Sequence, residues 1–417
     1  MACELLNGLR VLDLSDEMGA LCGKILSDLG AEVIKVEPPQ GVSTRRIPPF
    51  LNDQPGPQRS LYFLAYEAGK KSVTADLGCA DGCGLVRKLV AHADFLVESF
   101  PPGHLEQRGL GYEELARINP RLIYTSITGF GDRGPAAGYK ARDVAIWAAG
   151  GAMSLIGEAD RPPLVLALPQ AGLHAGAEAA VVSLLAHHAR ARDGVGQRAV
   201  VNAQACVAWT LMNEQAMPVM HGAEPARSGV MFRALGSERK LVFRCADGHV
   251  SALLIGGPLA PTLRTLVHWM AERGFAADWM LDKKWEEWGP AYFMTGKGTE
   301  EAKDLDERAE RFFLTMTKRE LYSEALKRRL LIAPVSTAAD IAADEQLKAR
   351  AFFVEVEDNE SADGKLVFPG PFARFSRTPI GPPRRAPHLG EHNREVYCGL
   401  LGLEPKALSR LYAAGAI

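Results

Sequence analysis

The turn at Pro169-Gln170-Ala171-Gly172-Leu173-His174 stands where a strand-like apolar run (Leu164, Val165, Leu166) gives way to an alanine-rich helix beginning near Gly172. The free N–H groups and dipole of a helix N-terminus favour negative charge, which suits a nucleophile or a bound anion. This turn carries no carboxylate, thiol or hydroxyl, and offers only Gln170, Gly172 and His174. Glu178 lies almost two turns into the helix, some 9 Å along its axis at ~1.5 Å per residue. Asp143, ahead of the apolar "VAIWAAGG", has three readings: helix cap, catalytic acid and orienting group, of which the cap is favoured. His104 and His174 have no visible partner and read as structural. His187 and His188 fall late on the helix with Arg190 and Arg192, which reads as a solvated face and not a metal pair. No metal site is expected.

A second chemistry is anion binding. "GFGDRG" (129–134) follows a strand, but Pro135 and Gly138 break the helix that a dinucleotide site needs, so it reads as a glycine-rich turn. Lys70, Lys71, Arg108, Lys140 and Arg142 cluster at strand ends. Taken singly each is a solvated charge. Taken together they suit a phosphate-bearing ligand, because a diphosphate needs several cations converging on one cleft.

The elements that must position these residues alternate through the first two hundred positions. "LRVLDLS" (9–15), "EVIKVE" (32–37), "KSVTADL" (71–77), "DFLVESF" (94–100), "RLIYTSITGF" (121–130) and "RAVVNA" (198–203) read as strands. Helical stretches (19–31, 83–93, 112–118) separate them. Short apolar strands between helices predict an α/β fold with a mostly parallel sheet covered on both faces. Ligands then bind outside the carboxyl ends of the strands, which points to Ser15–Met18, Glu37–Gly41, Ser99–Gly103 and Gly129–Gly134. From about Arg227 the texture changes: Asp247-Gly248 marks a hairpin, followed by helices rich in Trp, Lys and Glu to about residue 330. The expected organisation is a large domain over 1–215, a smaller α+β domain over 216–330, and a return segment over 331–417 that completes the large domain.

Composition bounds the function. The chain has 417 residues with 47% hydrophobic and 24% charged, an ordinary globular balance. A net charge of −2 argues against a general nucleic-acid or membrane-surface binder. The seven cysteines are scattered, and Cys79-x-x-x-Cys83 has no matching second pair, so reduced thiols in a cytoplasmic protein are expected. "MACELLNGLRVLDL" lacks the basic start and apolar core of a signal peptide.

Longer stretches carry a resemblance. "LNGLRVLDLS…LSDLGAEVIKVEPPQG", "SLYFLAYEAGKKSVTADL", "ADFLVESFPPGHLEQRGLGYEELARINPRLIYTSITGFGDRGP", "DGVGQRAVVNAQ", "CADGHV" and "PFARFSRTP…RRAPHLGEHNREV" resemble the class III CoA-transferases, over almost the whole chain. The resemblance implies a large Rossmann-like domain built from both chain ends and a dimer of interlocked rings. It also implies a coenzyme A thioester as substrate with carboxylic acids as acceptors, and no tightly bound cofactor. By position it implies coenzyme A contacts at Asp16, Glu17, Met18, Pro38, Gly69, Lys70, Lys71, Ser99, Phe100, Arg108 and Lys140. Pro38 stands where some members have an arginine, and Arg142 where many have a tyrosine. Members of the family use an aspartate at the turn before the alanine-rich helix to carry the acyl group; here that position is Gly172. With "PQAGLHAGAEAA" and "DEMGALCGKILSDLG" the chain most resembles heteromeric members that move CoA from succinyl-CoA to (R)-benzylsuccinate in toluene degradation. That implies a homologous partner subunit bearing the aspartate, and no catalytic nucleophile here, with His174, Asp143 and Glu178 the weak substitutes. Two other readings stay open: a homodimeric acyl-CoA racemase or isomerase using acid–base residues, and a non-catalytic scaffold that binds CoA thioesters.

Overall fold

A computed structural model describes residues 5–417 apart from 223, 235–236, 290–291, 294–297, 359–360 and 362–363. The chain divides into two units. One comprises Met1–Met153, Val165–Glu224 and Glu345–Ile417; the other comprises Ser154–Leu164 and Pro225–Asp344.

The first unit is built on a six-stranded parallel sheet. In chain order it runs β1 (Arg10–Leu14), α1 (Ala20–Asp28), β2 (Glu32–Glu37), α2 (Leu61–Tyr66), β3 (Lys71–Thr74), α3 (Ala80–Val90), β4 (Phe95–Glu98), α4 (Tyr112–Ile118), β5 (Ile123–Thr128), α5 (Asp143–Ala149), α6 (Ala171–Asp193), β6 (Arg198–Asn202), α7 (Ala203–Trp209) and α8 (Met212–His221). The sheet order is β3-β2-β1-β4-β5-β6, and every neighbouring pair is parallel. β4 and β5 are buried along their whole length, as strands covered on both faces must be. The strand order reverses between β1 and β4, which opens a crevice at their carboxyl ends.

Among the described residues, the returning segment adds no strand to this sheet. It closes the β3 edge instead. Asn393 holds Thr74 through two hydrogen bonds, side-chain oxygen to N–H and side-chain amide to Oγ1, each 2.8 Å. The Tyr397 hydroxyl donates to the Thr74 carbonyl at 2.8 Å, and the Asp76 N–H donates to the Ala416 carbonyl at 2.8 Å. Val396, Tyr397, Leu408 and Ile417 join the core that lies against β1, β2 and β3.

Helix α6 meets α1 through small residues. Gly172, Ala175, Gly176 and Ala179 are all buried. A Cβ at Gly176 would stand 3.1 Å from Leu21 Cβ and 3.2 Å from the Cys22 nitrogen, and one at Gly172 would stand 3.3 Å from the Glu17 carbonyl oxygen. Helix backbones approach this closely only where side chains are absent or minimal.

The second unit has its own core, in which Trp269, Trp285 and Trp288 pack with Phe312 and Phe313. Strands Val242–Cys245 and Gly248–Ala252 form the hairpin read around Asp247-Gly248. Ile332–Pro334 pairs antiparallel with Gly248–Ala252, so residues up to Asp344 belong with this unit and not with the return segment expected from 331. The Leu164-Val165-Leu166 run is not a strand. Its side chains are exposed, and it has no strand to pair with, which periodicity alone could not show. Among the described residues no helix is long and apolar enough to cross a membrane.

Candidate active site

The loop after β1 carries the site, and a buried ion cluster fixes it. Asp13 accepts from Lys70 Nζ at 2.7 Å and from Lys35 Nζ at 3.3 Å. Lys70 also pairs with Glu67 at 2.5 Å. All four side chains are fully buried. Burial raises the Asp13 carboxyl, but the two ammonium groups outweigh it and hold the group down to about 2. Asp13 Oδ1 also accepts from the Ser15 N–H at 2.9 Å and from its hydroxyl at 2.6 Å, and Lys35 donates to the Ser15 carbonyl. β1 therefore ends at a point anchored by charge, and Asp16, Glu17 and Met18 project from it.

Two adjoining cavities open at the carboxyl ends of the strands. The larger, about 610 Å³, lies over β1 to β4 and is lined by Asp16, Pro38, Gln40, Ser43, Arg46, Ala75–Gly78, Ser99, Phe100, His104 and Arg108 among others. Phe100 and His104 stack face to face, with centroids 4.6 Å apart and planes within 2°. Arg108 ties two loops together by donating from Nε to the Leu77 carbonyl at 3.1 Å and from Nη1 to the His104 carbonyl at 2.9 Å. Burial, and then Arg108, lower the His104 pKa, which favours its neutral form near pH 7.

The smaller cavity, about 260 Å³, shares Asp16, Ser43 and Ser99 with the larger and reaches Glu17, Met18, Ala141, Arg142, Asp143, Ile146 and Gly172. The loops that follow β1, β2 and β4 meet at Asp16. Its N–H donates to Ser99 Oγ at 2.7 Å, and its Oδ2 accepts from the Ser43 hydroxyl at 2.6 Å. Asp143 does cap a helix, though not its own: Oδ1 accepts from the Ala171 N–H at 2.7 Å, at the start of α6. Burial raises the Glu17 pKa, with Asp143 and Asp16 adding to the rise and Arg142 opposing it.

Of the residues expected from the sequence, Asp16, Pro38, Ser99, Phe100 and Arg108 line the larger cavity, and Glu17, Met18, Arg142, Asp143 and Gly172 the smaller. Gly69, Lys70 and Lys71 do not. They stand at the amino end of β3, on the opposite edge of the sheet. Lys70 is enclosed by Asp13 and Glu67, and Lys71 pairs with Glu32 at 2.5 Å and Glu395 at 2.6 Å. Lys140 is exposed and lines neither cavity. His174 packs its ring against Trp147, with centroids 5.6 Å apart, and Glu178 is exposed. "GFGDRG" is a turn after β5, in which the Gly131 N–H donates to Thr128 Oγ1 at 3.0 Å. The residues missed were Ser43, Arg46 and Ala75–Gly78. The strand read as 71–77 ends at Thr74, and recognising that end would have put the next four residues on the ligand edge. Among the described residues no three His, Cys, Asp or Glu side chains gather as a metal requires.

Beneath the Ser99-Phe100 turn, Glu98 is buried and accepts from the Phe100 N–H at 2.8 Å. Burial pushes its carboxyl up to about 7, against opposing hydrogen bonds from Ser126 and Phe100. The folded chain therefore binds a proton more tightly than the unfolded chain between pH ~4.5 and ~7, and stability falls as pH rises through that window. Glu98→Gln, which keeps an acceptor for Phe100, is expected to add ~3 kcal/mol at pH 8 and almost nothing at pH 4. Urea titrations at the two pH values check this, and an equal effect at both would refute it.

The chain belongs to CoA-transferase family III, whose model matches residues 6–393. It is 35% identical over 414 residues to succinyl-CoA:(R)-benzylsuccinate CoA-transferase subunit BbsE of Thauera aromatica, covering 98% of this chain and 97% of that one. It is 32% identical to succinate–glutarate CoA-transferase of Agrobacterium fabrum, covering 96% and 97%. Among solved structures, a CAIB/BAIF family protein from Brucella suis matches with a TM-score of 0.78 at 31% identity, covering 95% of this chain and 100% of that one.

Proposed function

We propose that this chain is one subunit of a heteromeric CoA-transferase that moves CoA from succinyl-CoA to a substituted succinate such as (R)-benzylsuccinate. In this reading a homologous partner supplies the nucleophilic aspartate. The observation that carries it is Gly172: it lines the smaller cavity, where it has no side chain to hold an acyl group. The full-length similarity to a named subunit of such an enzyme supports the substrate class. The larger cavity, with Arg46 and Arg108 in its wall, is the place for coenzyme A.

The test is to purify the chain alone and together with a family member that carries an aspartate at the equivalent turn, then follow benzylsuccinyl-CoA formation by chromatography. The pair is expected to turn over and the lone chain not to. Full activity of the lone chain would overturn the proposal. A second reading, acid–base isomerisation of an acyl-CoA, is favoured by the two carboxyl groups of Glu17 and Asp143 in one cavity. Deuterium entering the α-carbon in heavy water, with no acceptor acid present, would support it.

A further inference from the structure

The two cavities differ in charge. The larger carries the guanidinium groups of Arg46 and Arg108 in its wall, with Asp16 and Asp76 the acidic residues among its lining. The smaller is lined by Asp16, Glu17 and Asp143 against Arg142 alone. Asp16 and Asp143 each accept a hydrogen bond, from the Ser43 hydroxyl and the Ala171 N–H respectively. The Glu17 carboxyl accepts none from the described residues, and Asp143 and Asp16 each act on it more strongly than the opposing Arg142. Coenzyme A lying across both cavities would place its phosphates by cations and its acyl end by carboxylates. An acyl group ending in its own carboxylate would bring a like charge to a place short of cations, whereas a thiol or an alkyl chain would not.

Resting on the larger cavity as the coenzyme A site, we propose that this chain's own cavity takes coenzyme A that is free or bears an uncharged acyl group, and turns away thioesters of dicarboxylic acids, with Glu17 and Asp143 as the discriminating residues. In a heteromer the dicarboxylic thioesters are then left to the partner's cavity, and this chain holds the coenzyme. The role is one of specificity; no bond is made or broken here.

Butyryl-CoA and succinyl-CoA have acyl chains of equal length and differ by the terminal carboxylate, so they isolate the effect. Calorimetric titration of the purified full chain at pH 7.5 is expected to show butyryl-CoA and free CoA binding at least about tenfold more tightly than succinyl-CoA, the order of one uncompensated charge. Glu17→Gln should strengthen succinyl-CoA binding relative to butyryl-CoA until the gap is within about threefold, while Arg142→Gln should widen the gap. If Glu17→Gln does not fold, the wild-type gap is measured at low and high salt, where repulsion must shrink on screening. Succinyl-CoA binding as tightly as butyryl-CoA, or a gap that neither Glu17→Gln nor salt narrows, would overturn the selectivity. Failure of all three ligands to bind would overturn the coenzyme A reading beneath it.

Discussion

Replacing Lys70 by methionine is expected to destabilise the chain by about 3–5 kcal/mol, the cost of removing one partner from a buried ion pair. Lys70 lies between Asp13 and Glu67, with all three side chains fully buried. Methionine fills most of the volume, so the loss comes from two carboxylates left with Lys35 alone. The damage reaches the site as well as the core, because Asp13 also holds the Ser15 N–H and hydroxyl. Equilibrium unfolding in urea measures the loss, and a change below about 1 kcal/mol would show that the cluster does not hold this loop. The paired replacement of Lys70 and Glu67 by methionine and leucine should recover much of it, since a neutral buried patch is often no worse than the ions it replaces.

Gly172→Asp, the substitution that would put a carboxylate at the turn where the proposed function lacks one, is expected to fail. The Cβ would stand 3.3 Å from both the Glu17 carbonyl oxygen and Met18 Cα, so the loop after β1 must move. The new carboxylate would also enter a cavity that already holds Glu17 and Asp143. A loss of about 1–3 kcal/mol from the steric part is expected, and Gly172→Ala isolates it. Thermal unfolding, with acyl-CoA and hydroxylamine trapping followed by mass spectrometry, checks both halves. A stable Gly172→Asp chain that forms an acyl adduct would mean that the cavity kept room for the nucleophile.

These two positions also show how far sequence carries. Gly172 was singled out because the turn ahead of the alanine-rich helix carries no carboxylate, thiol or hydroxyl. The strands were legible because buried parallel strands are short apolar runs between helices. Asp16, Ser99 and Phe100 followed from strand ends alone. Lys70 and Lys71 begin the strand as read, but were grouped with the cations of the ligand edge by charge alone, and the structure puts them at the other edge of the sheet. What distinguishes them is a partner 57 residues away for Lys70 and 324 for Lys71, and such pairings leave no local trace. Asp143 was read as a cap from its type, but the helix it caps begins 28 residues later. The cavity wall at Ala75–Gly78 needed the true end of β3, and element boundaries are where pattern reading is weakest.

The bonds from Asn393, Tyr397 and Ala416 to Thr74 and Asp76 bear on how the protein comes into being. The rim of the larger cavity is thus held by residues 319 and 323 positions further along the chain than Thr74. Until they arrive, the flank of β3 lies open to pairing with another chain. A polypeptide cut short before Asn393 would therefore carry all six strands of its sheet with the cavity rim at Thr74 and Asp76 undone.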